Sequence, residues 1–223
     1  MLIYFILLIL VPLYAQFKVK STYKKYSKVE NSSGRTGAGV ARAILDSHGL
    51  YNVNVEETRG FLSDHYDPRS KTVRLSSGNY HGYSIAGAAI AAHEVGHAIQ
   101  DQQRYTFLRF RHALVPVANL GSNFSWMLIL AGILANMSGL LLLGIAFMAF
   151  AVLFQIITLP VEFNASNRAM DEVVSLGIIR NDEERETRKV LNAAALTYVA
   201  AAAVAVLELV RLVLIYTGMT RND

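Results

Sequence analysis

No cysteine occurs among the 223 residues. That absence excludes a disulfide-stapled secreted domain, thiolate nucleophiles and every Cys-ligated zinc or iron–sulfur centre. Charge is scarce as well. Asp, Glu, Lys and Arg make up 17% of the chain, against about a quarter in ordinary soluble domains. From Ala113 to Val161 there is no charged side chain for 49 residues. Hydrophobic residues reach 53% and the mean hydropathy is +0.32, which excludes disorder and points to a membrane class. The net charge of +4 is a modest surplus that reads as membrane topology, with no nucleic-acid partner. Chemistry must then come from His, Asp, Glu and hydroxyl side chains.

Met1 to Phe17 is uncharged and is followed by Lys18, Lys20, Lys24, Lys25 and Lys28. A signal peptide has its basic residues before the apolar run, so 1–17 is expected to be a short transmembrane anchor, or alternatively an uncleaved interfacial segment. Residues 18–112 read as a water-exposed α+β unit. Gly37 to His48 has helical apolar spacing closed by Gly49, and Tyr51 to Glu57 alternates as a strand. Asp64-His65-Tyr66-Asp67-Pro68 reads as a turn, Lys71 to Ser76 as a second strand and Ser77-Gly78-Asn79 as another turn. A helix with Ser84 as N-cap runs to about Gln103.

One helix over the uncharged run would extend about 73 Å, more than twice the ~30 Å hydrocarbon core. The run must fold back, at Asn136-Met137-Ser138-Gly139, as a transmembrane hairpin over 113–159 with spans near 115–135 and 140–159. Residues 160–189 are expected to hold a polar helix starting at Glu162 and a charged linker. A last transmembrane helix covers 190–216, with Glu208 and Arg211 on one face and the small Ala200–Ala203 tract suited to close packing. Four spans put 19 of the 21 Lys and Arg on one side, which the positive-inside rule makes cytoplasmic, with both termini outside the cell membrane.

His93-Glu94-Val95-Gly96-His97 is an HExxH motif. On a helix, residues four apart leave the same face, so both imidazoles can grip one metal ion. Glu94 is placed to take a proton from the water that attacks a peptide carbonyl and to pass it to the leaving amine. With 6 His and 10 Glu in the chain, chance produces roughly 0.007 such matches, which weighs against two unrelated packing histidines. The motif adds a zincin-like catalytic domain to the architecture: a mainly α integral membrane protein of about four transmembrane helices with a small α+β unit carrying the HExxH helix.

A catalytic zinc takes three protein ligands. The metzincin extension fails, because Gln100 and Gln103 stand where Gly and His are needed, and the hairpin has no Asp for an intramembrane site. The first acid after the uncharged run is Glu162, just past Pro160. It is the candidate third ligand; the alternative is a helix-start charge favoured by the macrodipole. Arg168, six residues on, is set to pair with a carboxylate or contact substrate. His81 and His65 are candidates to stabilise an oxyanion, or are surface residues, and Tyr66, Tyr80 and Tyr83 are further donors. Thr72, Val73, Arg74, Leu75 and Ser76 precede the zinc helix and are expected to form an edge strand that pairs with substrate main chain, or an ordinary sheet strand.

HEVGHAIQ (93–100), LPVEFNASNRA (159–169) and SDHYDPRSKTVRLS (63–76) resemble the bacterial YugP-type membrane zinc metallopeptidases over nearly the whole chain. More distantly, the order resembles the HtpX and CAAX-prenyl-protease group of gluzincins, in which a transmembrane hairpin separates HExxH from an E-x-x-A-D segment. The resemblance implies Glu162 at the glutamate-ligand position, Ala165 at the small residue and Ser166 in place of the Asp that orients a zinc-bound His. That departure leaves Ser166, Asn164 or an acid from elsewhere to do the orienting. The expected function is a zinc-dependent endopeptidase with one catalytic Zn²⁺ that cuts membrane-proximal or unfolded polypeptides, in membrane protein quality control, alone, as an oligomer or with a regulatory partner. The alternative is a non-catalytic scaffold or metal-binding regulator that retains the HExxH fold.

Overall fold

A computed structural model describes residues 2–220. Met1, Arg221 and Asp223, on which the expected placement of the termini bears, lie outside them. In chain order the elements are α1 (Leu2–Tyr26), α2 (Gly37–Ser47), β1 (Asn54–Thr58), β2 (His65–Asp67), β3 (Thr72–Ser76), α3 (Ser77–His81), α4 (Ile85–Gln102), α5 (Thr106–Leu134), α6 (Ser138–Ser175) and α7 (Glu184–Met219). They divide into two units. One comprises Met1–Leu13, Thr106–Pro160 and Tyr198–Asp223, the other Tyr14–Tyr105 and Val161–Thr197.

Among the described residues, α1, α5, α6 and α7 are long and apolar enough to cross a membrane. In the first unit, Ile9, Leu120, Trp126, Leu143 and Leu214 are exposed, an apolar surface suited to lipid. Asn136 turns the chain between α5 and α6 with φ of 51°, at the break the sequence predicts. Close packing of these two helices falls to glycine. A Cβ on Gly121 would lie 2.6 Å from the Phe147 carbonyl oxygen, and one on Gly132 would lie 2.5 Å from the Leu141 nitrogen. Arg211 donates to Glu208 at 2.9 Å, so the two charges that fall in the apolar part of the last helix pair with each other.

The second unit is built on a three-stranded sheet in the order β1-β3-β2. β1 runs parallel to β3, and β2 runs antiparallel to it. Val73 and Leu75 of β3, Val40, Ile44 and Leu45 of α2, Val95 and Ile99 of α4, and Ala169 and Val173 of α6 share one core. Ser84 caps α4 by accepting from the Gly87 amide at 3.0 Å, which fixes its start where the sequence puts it.

Thr72–Ser76 is the central strand of the sheet, paired on both sides, and therefore offers no free edge to a substrate. Thr72 and Ser76 are buried along with Val73 and Leu75, as befits a strand covered on both faces. Alternation in sequence reports faces, not the position of a strand within its sheet. The missing neighbour is β2, which forms inside the Asp64–Pro68 segment read as a turn. The Ser77-Gly78-Asn79 turn is the start of α3.

Helices also run further than their apolar segments. α1 continues through the lysines to Tyr26, and the charged stretch before Val190 is the first part of α7, with Glu184 and Glu186 in its first turn, where the macrodipole favours acids. α6 passes through Pro160 without ending. A proline removes one hydrogen bond from a helix interior. Here α6 goes on past it, with Val161, Ala165, Ala169 and Val173 buried. Glu162 is thus in mid-helix, and the macrodipole alternative for it does not apply.

Candidate metal centre

His93 and His97 project from α4 and Glu162 from α6, all within the second unit. The Nε2 of His93 lies 3.2 Å from Glu162 Oε2, and the Nε2 of His97 lies 3.5 Å from the same oxygen. One ligand atom from each of the three residues lies within 4.8 Å of the other two. Glu162 is 2% exposed and His97 is also buried. Two imidazoles and a carboxylate converging through N and O atoms match the donor set and ligand count of a catalytic zinc.

The approach of the two helices depends on small residues. A Cβ on Gly96 would stand 2.7 Å from the Ala165 carbonyl oxygen and 3.2 Å from the Ala165 Cα. A side chain there would force α6 away from α4 and carry Glu162 away from the histidines. Gly96 therefore serves helix packing, and Ala165 is its counterpart.

Glu94 is buried and, among the described residues, its carboxylate has no hydrogen-bond or ion-pair partner. Burial pushes its carboxyl up from the ordinary carboxylate range, while His93 and His97 pull partly the other way. A raised carboxyl is suited to accept a proton near neutral pH.

Around the three converging groups, Ser166 Oγ lies 3.2 Å from His93 Nδ1. The residue in the place of the family Asp thus touches a histidine. Asn164 is engaged elsewhere: its Oδ1 accepts from Gln100 Nε2 at 2.9 Å and from Arg168 Nε at 2.7 Å. Gln100 itself lies 3.0 Å from His97 Nδ1. Sequence reasoning passed over Gln100, although its place three residues after His97 on the same buried helix was the available signal.

The other candidates stand apart. His81 is 64% exposed and pairs with Glu57 at 3.1 Å, so it is a surface residue and does not reach the histidine pair. His65 is exposed and bonds its Nδ1 to the Ser63 carbonyl. Tyr66 donates to Asp101 at 2.9 Å, which occupies both that phenol and the acid nearest the motif. Glu172 is bound to His48 at 2.7 Å.

The chain belongs to the family described as "Putative neutral zinc metallopeptidase", whose model matches residues 1–217. It is also 57% identical over 203 residues to the "Putative membrane protease YugP" of Bacillus subtilis (strain 168), covering 91% of this chain and 90% of that protein. No solved structure matches it.

Proposed function

We propose that the protein is a membrane-integrated, zinc-dependent endopeptidase that hydrolyses peptide bonds in membrane-proximal or unfolded polypeptides. The observation that carries this reading is the convergence of His93, His97 and Glu162 beside the buried Glu94. His93, His97 and Glu162 would hold one zinc ion, which when bound supplies Lewis acidity toward water and the peptide carbonyl. Glu94 takes the proton of the attacking water and returns it to the leaving amine. Ser166 and Gln100 engage the Nδ1 atoms of the two histidines and leave both Nε2 atoms turned toward Glu162. Main-chain pairing with an extended substrate falls to a free sheet edge, and β2, joined to α4 by Tyr66 and Asp101, is the edge beside the HExxH helix.

Purified protein should contain one zinc per chain and cleave casein, with cleavage lost on chelation and restored by zinc. An intact, zinc-loaded protein that cuts no polypeptide would favour the non-catalytic regulator instead. The distribution of Lys and Arg supports a cytoplasmic active site in the cell membrane. Because the native chain has no Cys, this orientation is directly testable. Lys25→Cys should react only after the membrane is opened, whereas Gly139→Cys should react from outside; the reverse pattern would overturn the orientation.

A further inference from the structure

We propose that Gln100 is a positioning residue of this centre: it holds His97 in the form protonated at Nδ1 and fastens the HExxH helix to α6 at the residue preceding Glu162. The proposal rests on the metallopeptidase reading for its purpose, while the hydrogen-bond logic stands on the structure alone.

Gln100 is wholly buried, with 0% of its surface exposed. Its Nε2 donates to the Val161 carbonyl at 2.8 Å and to Asn164 Oδ1 at 2.9 Å. A carbonyl oxygen only accepts, so the Gln100 atom facing Val161 is the nitrogen. Asn164 leads to the same assignment independently. Its Oδ1 receives Arg168 Nε at 2.7 Å, and arginine only donates, so the Asn164 atom between Arg168 and Gln100 is an oxygen. With the nitrogen fixed twice, the amide oxygen of Gln100 faces His97 Nδ1 at 3.0 Å. That oxygen can only accept, so Nδ1 carries a proton, and in the neutral ring the lone pair is left on Nε2. Nε2 is the atom turned toward Glu162 Oε2.

The two histidines are therefore held differently. Ser166 beside His93 Nδ1 is a hydroxyl, which donates or accepts with equal ease and prescribes no tautomer. His97 keeps a proton on Nδ1 whether its ring is neutral or charged, so Nε2 is the atom left for a metal. The same amide grips the backbone of Val161, the neighbour of Glu162, so one side chain orients a ligand on α4 and the turn of α6 that carries another. Arg168, one turn beyond Asn164, holds the far end of the chain of bonds and thereby acts on the centre without touching the histidines.

The test uses the full-length protein with ¹⁵N-labelled histidine, first metal-free and then titrated with zinc. The His97 signal is identified by its loss in His97→Ala. In the wild type, at a pH at which the ring is neutral, His97 should show the Nδ1–H tautomer. Gln100→Met, similar in length but without hydrogen-bonding groups, should lose that preference and raise the zinc Kd by about 10–100-fold, the range for an outer-shell partner of a ligating His. A merely destabilised fold would not move the proton between ring nitrogens. Gln100→Glu, which still accepts from Nδ1–H but no longer donates to Val161, should keep the tautomer. A folded Gln100→Met with the wild-type tautomer or the wild-type Kd overturns the proposal. If Gln100→Met does not fold, loss of the Nδ1–H form in Gln100→Glu overturns it. A wild-type protein that takes up no zinc defeats the metallopeptidase reading alone, since the tautomer comparison on metal-free protein still decides the role of Gln100.

Discussion

Glu94→Gln should bind zinc as the wild type does and lose proteolysis by about 10²–10⁴-fold, the usual contribution of a general base. The amide is nearly the same size as the carboxylate, and His93, His97 and Glu162 are left in place, so neither the fold nor the metal ligands change. What disappears is the ability to accept a proton. Among the described residues no hydrogen bond holds the Glu94 carboxylate, so the substitution breaks none, and a loss of rate at unchanged zinc content reports on chemistry. Zinc content by elemental analysis and casein cleavage, measured on one preparation, separate the two effects. Near-normal turnover in the Gln variant would show that another group takes the proton and that Glu94 is not the base.

Glu162→Ala should lower zinc affinity by more than the ~10–100-fold that follows loss of an outer-shell partner, because it removes one of the three converging donors. The protein should still insert in the membrane, since the apolar part of α6 lies before Pro160. The controls are the acids that compete in sequence. Asp101 is taken by Tyr66 at 2.9 Å and Glu172 by His48 at 2.7 Å, so Asp101→Ala and Glu172→Ala should keep wild-type affinity. A Kd unchanged in Glu162→Ala but raised in either control would remove Glu162 from the ligand set. The gluzincin-like reading would go with it, because that reading depends on a glutamate delivered from beyond the hairpin.

Much of this protein is local, and what is local was legible. The pairing of His93 with His97 follows from helical periodicity, and the start of α4 follows from the Ser84 cap; both depend on residues within a turn or two. The hairpin follows from a length that a bilayer cannot accommodate as one straight helix, and its turn lies at Asn136 where an αL-tolerant residue stands. Glu162 was reachable because it is the first acid after a long uncharged run and because the surrounding segment resembles a known family.

The remainder was decided by neighbours distant in sequence. Val73 and Leu75 alternate with Thr72, Arg74 and Ser76 whether their strand is central or at an edge; only the pairing with both β1 and β2 makes it central. Residues 160–189 read as a new helix starting at Glu162, yet α6 continues through Pro160 to Ser175. His81 and Ser166 are equally polar in sequence, yet one folds onto Glu57 at the surface and the other against His93. Gln100 looks like a failed metzincin glycine until α6 brings Val161 and Asn164 within hydrogen-bonding distance of its amide. The amino-acid sequence by itself determined the start of α4, the HExxH face and the need for a hairpin, because these rest on capping, periodicity and length. The tertiary structure alone decided which side chains meet around His93 and His97, because a hydrogen bond between residues more than sixty positions apart exists only once Gly96 and Ala165 let their two helices touch.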